Sequence, residues 1–394
     1  MAVTVLLAAI LLFIGLFNQT IQTAIIYQRH RYLATKCSDS LDNILLNPGI
    51  PPSWGLNSAN PTGFGLQDPE FTQYKLSPFS LMRLDSGLNV TYSTDGRNYS
   101  YTTTGFGQSL LVSHDQVVDP KTAASLMGIN GSYDFSLTMT PTVNVSISEK
   151  QTNPLNMIVK DTGSGYTLAN SKISYCFIKN TGTGSQYPSY TIQCNATTTD
   201  SLGTASLNLG TYDQTRESYA LIAYARTSGL VGVGSYQHLR YTDSYPIPLV
   251  SSFASGKILI AHSRDIVNSS SPLPITYNAT FVILTQDFTL REMPLENATE
   301  RIGKVNPGTS GMMTIQTDNP GILVVSYMKD NSSDSSGIVL MPWGTSSMAF
   351  PTTFGDDPNR QEWVTTDIRQ VTVGNIAYQA KLALWSLEGY QVVS

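Results

Sequence analysis

Charge is scarce in this chain. Asp, Glu, Lys and Arg make up 13 % of the 394 residues, against about 25 % in ordinary soluble domains, and none stands before Arg29. With a net charge of −5 and no basic stripe, nucleic acid is not an expected partner. Histidine is as thinly spread. His30, His114, His238 and His262 lie far apart, none with a second His, Cys or carboxylate at metal-ligand spacing. There is no H-E-x-x-H, no C-x-x-C and no G-x-S-x-G; the nearest text, "NPGTSGM" around Ser310, has the wrong spacing. No catalytic residue, cofactor or metal is therefore expected, and an exported hydrolase would lack the polar site it needs. Gly229, Gly232 and Gly234 in "GLVGVGSY" precede no helical pattern that would cradle a phosphate, and they read as a tight turn. Two acidic stretches, Asp330/Asn331/Ser332/Asp334 and Asp356/Asp357/Glu362, offer oxygen ligands. The first lacks the Gly and the closing Glu of a calcium loop, and both read as solvated hairpin tips.

Cysteine is limited to three residues. Cys176 and Cys194 stand in segments of strand character joined by a turn-rich link, and an oxidised pair is expected on an oxidising side of the membrane. Two buried free thiols are the alternative. Cys37 falls on a helical apolar stripe and reads as a small core residue. Potential glycan acceptors, in contrast, are plentiful. Ten of 23 Asn residues sit in N-x-[ST] sequons, where about five would arise by chance. Asn18 lies in the opening helix. The remaining nine, expected to include glycosylated positions, are Asn89, Asn98, Asn130, Asn144, Asn195, Asn268, Asn278, Asn297 and Asn331.

The opening run is the strongest single feature. In "MAVTVLLAAILLFIGLFNQT", residues 2–17 are apolar except Thr4. Sixteen helical residues rise about 24 Å, and the uncharged residues 18–24 extend the run toward the ~20 needed to span a bilayer. A secretory signal would have a basic start and a small-residue cleavage site; both are missing, so cleavage of that type is not expected. The first cations, Arg29, Arg31 and Lys36, lie downstream, where the positive-inside rule would hold everything after them in the cytoplasm. The exported character of the remaining sequence opposes that. Beyond the run, Ile21, Ile25, Leu33, Cys37, Leu41, Ile44 and Leu45 recur at helical spacing, and "NPG" at Asn47–Gly49 ends the pattern. One helix over residues 1–47 is expected, apolar all round in its first half. Its expected assembly face comprises Val5, Leu6, Ile10, Leu11, Phe13, Ile14, Phe17, Ile21 and Ile25.

After a Pro/Gly-rich, aromatic-anchored stretch the period changes to two. Residues 48–150 read as a first β region, with a hairpin turn at Asp95–Gly96. Residues 151–228 have the short strands and turns of an immunoglobulin-like sandwich. Residues 229–394 read as a C-terminal β domain, or as strands sharing one sheet with residues 85–148 so that the sandwich is an insertion. The predicted class is mainly β with one long N-terminal helix and sandwich-type head domains.

Two resemblances attach to these residues. "TTTDSLGTASLNL" resembles the turn and strand of Ig-like repeats in archaeal and bacterial surface proteins. "AVTVLLAAILLFIGLFNQTIQTAII", followed by "YLATKCSDSLDNILLNPGIPPSWG", resembles the opening of archaeal type IV pilin-like proteins with class III signal peptides. That resemblance implies a basic leader removed at the cytoplasmic face, a filament of identical subunits, and helices that sit in the membrane before assembly. A single-pass membrane-anchored surface glycoprotein, serving adhesion or an S-layer, is the competing expectation.

Overall fold

The computed structural model describes residues 2–70, 73–92, 94, 96–105, 109–180, 186–211, 213, 217–295, 297, 299–316, 319–329, 332–344, 351–360 and 363–387. Asp95, Asp330, Asn331 and Glu362, named above, lie outside the described residues, as do the side chains of Val5, Ser332 and Asp334.

The class is mainly β with one long helix, Ala2–Leu46. Its residues are mostly good helix formers, and no Pro occurs within it. It ends where Pro48 cannot continue it and Gly49 turns at φ +80. The returning loop satisfies the terminal carbonyls: Leu66 N–H donates to Ile44 O at 2.8 Å and Gln67 N–H to Asn47 O at 3.1 Å. Arg83, fully buried, fastens that loop. Its guanidinium donates to the carbonyls of Trp54, Asn57, Ala59 and Gln116 and to Asn60 Oδ1, and lies 5.2 Å from the centre of the Trp54 ring. Burial lowers its pKa to about 10, with Asp115 acting in the opposite direction.

Five sheets are formed among the described residues. The docking sheet has the order Lys75–Leu76, Thr365–Val373, Ile376–Ser386, Tyr133–Pro141, Thr352–Gly355. The Ig-like sandwich packs Tyr190–Thr198, Lys172–Asn180, Ser218–Thr227 and Leu230–His238 against Thr204–Asn208, Leu155–Gly163 and Val143–Thr152. A second sandwich packs six strands, from Ser310–Thr314 at one edge to Asp85–Tyr92 at the other, against a sheet centred on Ile275–Leu284 and Gly321–Lys329.

Continuous apolar runs mark the strands buried on both faces. In Ser218–Thr227, Tyr219, Leu221, Ala223 and Ala225 fill the Ig-like core, while Ala220, Ile222 and Tyr224 enter the central core that also holds the end of the helix. Gly321–Lys329 divides likewise, with Leu323, Val325 and Tyr327 on one face and Ile322 and Val324 on the other. Both strands can face two cores because neither alternates apolar with polar.

The three-way division of the head at residues 150/151 and 228/229 does not match this topology. Val143–Thr152 and Leu230–His238 belong to the Ig-like unit. The segments on either side share sheets: Leu249 pairs with Leu111 in parallel, and Tyr378–Ser386 pairs with Tyr133–Pro141. The Ig-like unit is thus an insertion of residues 143–238. The reading of "GLVGVGSY" as a turn also needs correction. Gly229 is in a turn, but Gly232 and Gly234 are inside a strand, where a Cβ would come within 2.6 Å and 2.1 Å of backbone oxygens of Val143 and Val145. Glycine is needed because the two sheets of the sandwich close on each other there.

Candidate functional site

The helix has two environments. Between Leu6 and Ile25 every large apolar residue is exposed; Leu11 is 62 %, Phe13 69 % and Ile25 46 % accessible. Leu6, Ile10, Ile14, Phe17 and Ile21 of the expected assembly face are exposed as well. Thr20 and Thr23 donate their hydroxyls to Leu16 O and Gln19 O, both at 2.8 Å, which hides those polar groups within the helix. Leu6–Leu46 is long and apolar enough, by length and composition, to cross a membrane.

Contact with the head begins near His30, whose ring meets Trp363 edge-on at 4.6 Å. From there Leu33, Cys37, Leu41, Ile44 and Leu45 are buried against the docking sheet and the returning loop. At roughly 1.5–3 kcal/mol for each large aliphatic side chain, this stripe contributes on the order of 10 kcal/mol of gross transfer energy. Cys37 is free, as expected, and its thiol donates to Leu382 O at 3.5 Å and Thr365 O at 3.6 Å. Burial, helped by the nearby Asp367 carboxylate, pushes the thiol pKa up to about 11, so the thiolate that would react is suppressed.

A polar latch flanks the stripe. Arg369 grips Asp42 with two parallel bonds, Nε to Oδ1 at 3.0 Å and Nη2 to Oδ2 at 3.2 Å. It also reaches Asp367 Oδ1 at 2.7 Å and Ser38 Oγ at 3.0 Å. The hydrogen bonds that Arg369 donates to Asp42 and Asp367 raise the guanidinium pKa further. Burial opposes ionisation of Asp367, but bonds from Ser38 and Arg369 outweigh it and hold its carboxyl below the usual range. The sequence pattern marked the helical stripe but not this latch, because Arg369 is 327 residues from Asp42 and only the sheet register brings them together.

Cys176 and Cys194 are disulfide-bonded and directly opposite one another on adjacent antiparallel strands. Asn89, Asn98, Asn130, Asn144, Asn195, Asn268 and Asn297 are exposed. Asn278 differs: it is half-buried, its Nδ2 donates to Pro188 O at 3.1 Å, and Thr280 of its sequon is buried.

The closest approach to a nucleophile pair is Ser100 Oγ, 2.7 Å from His114 Nδ1. Ser100 is fully buried and donates its proton to Asn89 Oδ1, so the hydroxyl is already committed. His262 Nδ1 accepts from Arg264 N–H and its Nε2 faces Leu273 O, a structural role at the start of a short helix. Among the described residues no group of three His, Cys, Asp or Glu is placed to hold a metal. Burial, reinforced by the neighbouring Asp356 carboxyl, raises the Asp134 carboxyl to about 6.

No protein-family model matches this chain, and no curated protein matches it. Among the solved structures that overlap it, two illustrate how weak the likeness is. Trypsin-activated alpha-2-macroglobulin from Escherichia coli aligns at 11 % identity over 59 % of this chain and 18 % of its own, with a TM-score of 0.21. The C2A and C2B domains of extended-synaptotagmin 2, calcium bound, align at 10 % identity over 64 % of this chain and 96 % of their own, with a TM-score of 0.09. These overlaps are too slight to transfer a fold or a function.

Proposed function

We propose that this protein is the structural subunit of an extracellular filament of the archaeal type IV pilus kind. Its apolar helices pack in the fibre core and its glycosylated β head faces outward at the cell surface. The observation that supports this most is the exposed half of the helix: among the described side chains of residues 2–29, large apolar ones lie on all sides and every one of them is exposed. Such a surface must be enclosed by lipid or by copies of itself. Burying half of it would contribute on the order of 10 kcal/mol per subunit before ordering costs. Helix packing between copies that face one way is a heterologous contact, which extends into a fibre rather than closing. Before assembly the same helix holds the subunit in the membrane. The disulfide supports an oxidising, extracellular location for the head.

A second reading has its own support in the length and composition of Leu6–Leu46, which suffice for a single membrane anchor. The protein would then be a monomeric surface glycoprotein with lipid alone around the helix. Electron microscopy of the purified full-length protein after detergent removal decides between them. Uniform filaments of one subunit type are expected; isolated or vesicle-bound particles at every concentration would replace the filament reading with the anchor.

A further inference from the structure

The hairpin of Asp85–Tyr92 and Arg97–Gly105 carries two sequons, Asn89-Val90-Thr91 and Asn98-Tyr99-Ser100. The register sets them against each other: Asn89 is opposite Ser100 and Thr91 is opposite Asn98. The side chains are joined reciprocally. Thr91 Oγ1 donates to Asn98 Oδ1 at 2.9 Å, and Ser100 Oγ donates to Asn89 Oδ1 at 2.5 Å while also contacting His114 Nδ1 at 2.7 Å. Each sequon hydroxyl therefore fixes the amide plane of the other sequon's Asn through its oxygen. Both Asn residues are exposed, and among the described residues neither Nδ2 has an acceptor. Diagonal positions on paired strands are about 7–8 Å apart, which leaves separate room for two substituents.

Asn278 presents the opposite arrangement. It lies in a strand paired on both sides, opposite Ser326 and Ile302. Its Nδ2 is bound to Pro188 O, and the hydroxyl of the buried Thr280 is bound to Glu292 Oε1 at 2.7 Å.

We propose that Asn89 and Asn98 form a paired N-glycosylation site in which both amide nitrogens carry a glycan, and that Asn278 carries none. The donor class is a polyprenyl-phosphate-linked oligosaccharide. At each Asn the Nδ2–C1 bond forms and the C1–O bond to the donor phosphate breaks. The electron pair leaves on the phosphate oxygen, and one amide proton passes to a base of the transferase. Both amide oxygens survive, so both cross-strand hydrogen bonds persist in the modified hairpin. The pair spans the two outermost strands of the six-stranded sheet, with Asn89 on the edge strand beside the 64 % exposed Leu88 and Asn98 on its inner neighbour. A free strand edge is a template for pairing with another chain, and two adjacent sugars obstruct that approach. The proposal requires export of the head but not filament formation, so the glycan and microscopy results stand apart.

The test is mass spectrometry of tryptic peptides from full-length protein purified from the cells that make it. Cleavage at Arg83, Arg97 and Lys121 separates the sites into peptides 84–97 and 98–121. A glycan increment is expected on both. Peptide 265–291 holds Asn268 and Asn278, and any glycan on it should localise to Asn268. Asn89→Gln should remove the increment from 84–97 completely and leave that on 98–121. A bare 84–97 or 98–121 in the wild type, a sugar localised to Asn278, or an increment on 84–97 that persists in Asn89→Gln would each overturn the proposal.

Discussion

Residues 2–29 and residues 30–46 belong to one unbroken helix, yet the described large apolar side chains of the first set are exposed while the second set buries a stripe against its own head. In the docked half five residues, Leu33, Cys37, Leu41, Ile44 and Leu45, form one stripe, and polar residues such as Ser38 and Asp42 flank it. In the exposed half Leu6, Leu7, Ile10, Leu11, Leu12, Phe13 and Ile14 point in every direction. A stripe can be satisfied by one sheet; an apolar cylinder needs a complete surround. Substitutions in the two halves should therefore damage different properties of the molecule.

The largest effect is expected from Leu11→Lys. A charge placed in the packed layer has no partner, so filaments should disappear from micrographs entirely, while the thermal unfolding of the head stays within about 0.5 kcal/mol of wild type. Normal filaments from this variant would show that the exposed half is not the core. Leu41→Ala should do the reverse: a cavity in the seam costs about 2–5 kcal/mol in denaturant unfolding and loosens the helix from the head. If Leu41→Ala leaves stability unchanged, the docked half is not held by its stripe.

The disulfide lies in neither half and serves as a control. Replacing Cys176 and Cys194 by Ala opens a loop with a separation of 18 residues, which should lower head stability by about 3 kcal/mol without removing filaments. Arg369→Leu breaks the latch. Arg369 is 25 % and Asp42 38 % exposed, so solvent screening limits the loss to about 1 kcal/mol. Comparing it with Leu41→Ala weighs apolar burial against ion pairing within the same seam.

The smallest effect is a pH dependence that separates two carboxyl settings on the docking sheet. The fold raises Asp134 from 3.8 to about 6, favouring its protonated form, so this stabilisation is full below pH 3.8 and lost as pH rises through about 6. Asp367 has the opposite sign: its pKa is lowered, so its contribution holds above 3.8 and is lost as pH falls through the lowered value. Between pH 4 and 7 the raised Asp134 carboxyl costs stability as pH rises, and the carboxyls of Asp85 and Asp161, raised by burial, act in the same direction. Stability should fall over that range by on the order of 1 kcal/mol after allowance for solvent, and Asp134→Asn should flatten the slope.

What could be read in advance was whatever local pattern determines. The helix boundaries followed from an uninterrupted apolar pattern and Asn47-Pro48-Gly49, and the strands from runs such as "GILVVSYM" and "NIAYQAKLALWSL". Cys176 and Cys194 were legible as a pair because the strands bearing them lie close in sequence. Sheet membership was not legible: the parallel pairing of Leu249 with Leu111 depends on long-range packing that no local period encodes. Gly232 and Gly234 carry a signal of a different kind from a turn: a glycine inside a β pattern points to close backbone approach. Arg83 gave none; a lone arginine among apolar residues does not reveal that a Pro/Gly-rich loop will fold its carbonyls around it. Among the sequons, only the register distinguishes the free nitrogens of Asn89 and Asn98 from the engaged one of Asn278.

The passage from exposed to docked helix has a mechanical consequence. Between Asn18 and Leu46 there is neither glycine nor proline, so the helix has no joint where it enters the head. Tension or twist applied to residues 2–29 is carried along the backbone without a compliant element to absorb it. The load reaches the seam under Leu33–Leu45 and the tie at Ile44 and Asn47, which the Arg83-fastened loop holds. The head is then a rigid flange on a stiff shaft, and pulling on the shaft strains the seam before it can swivel the head.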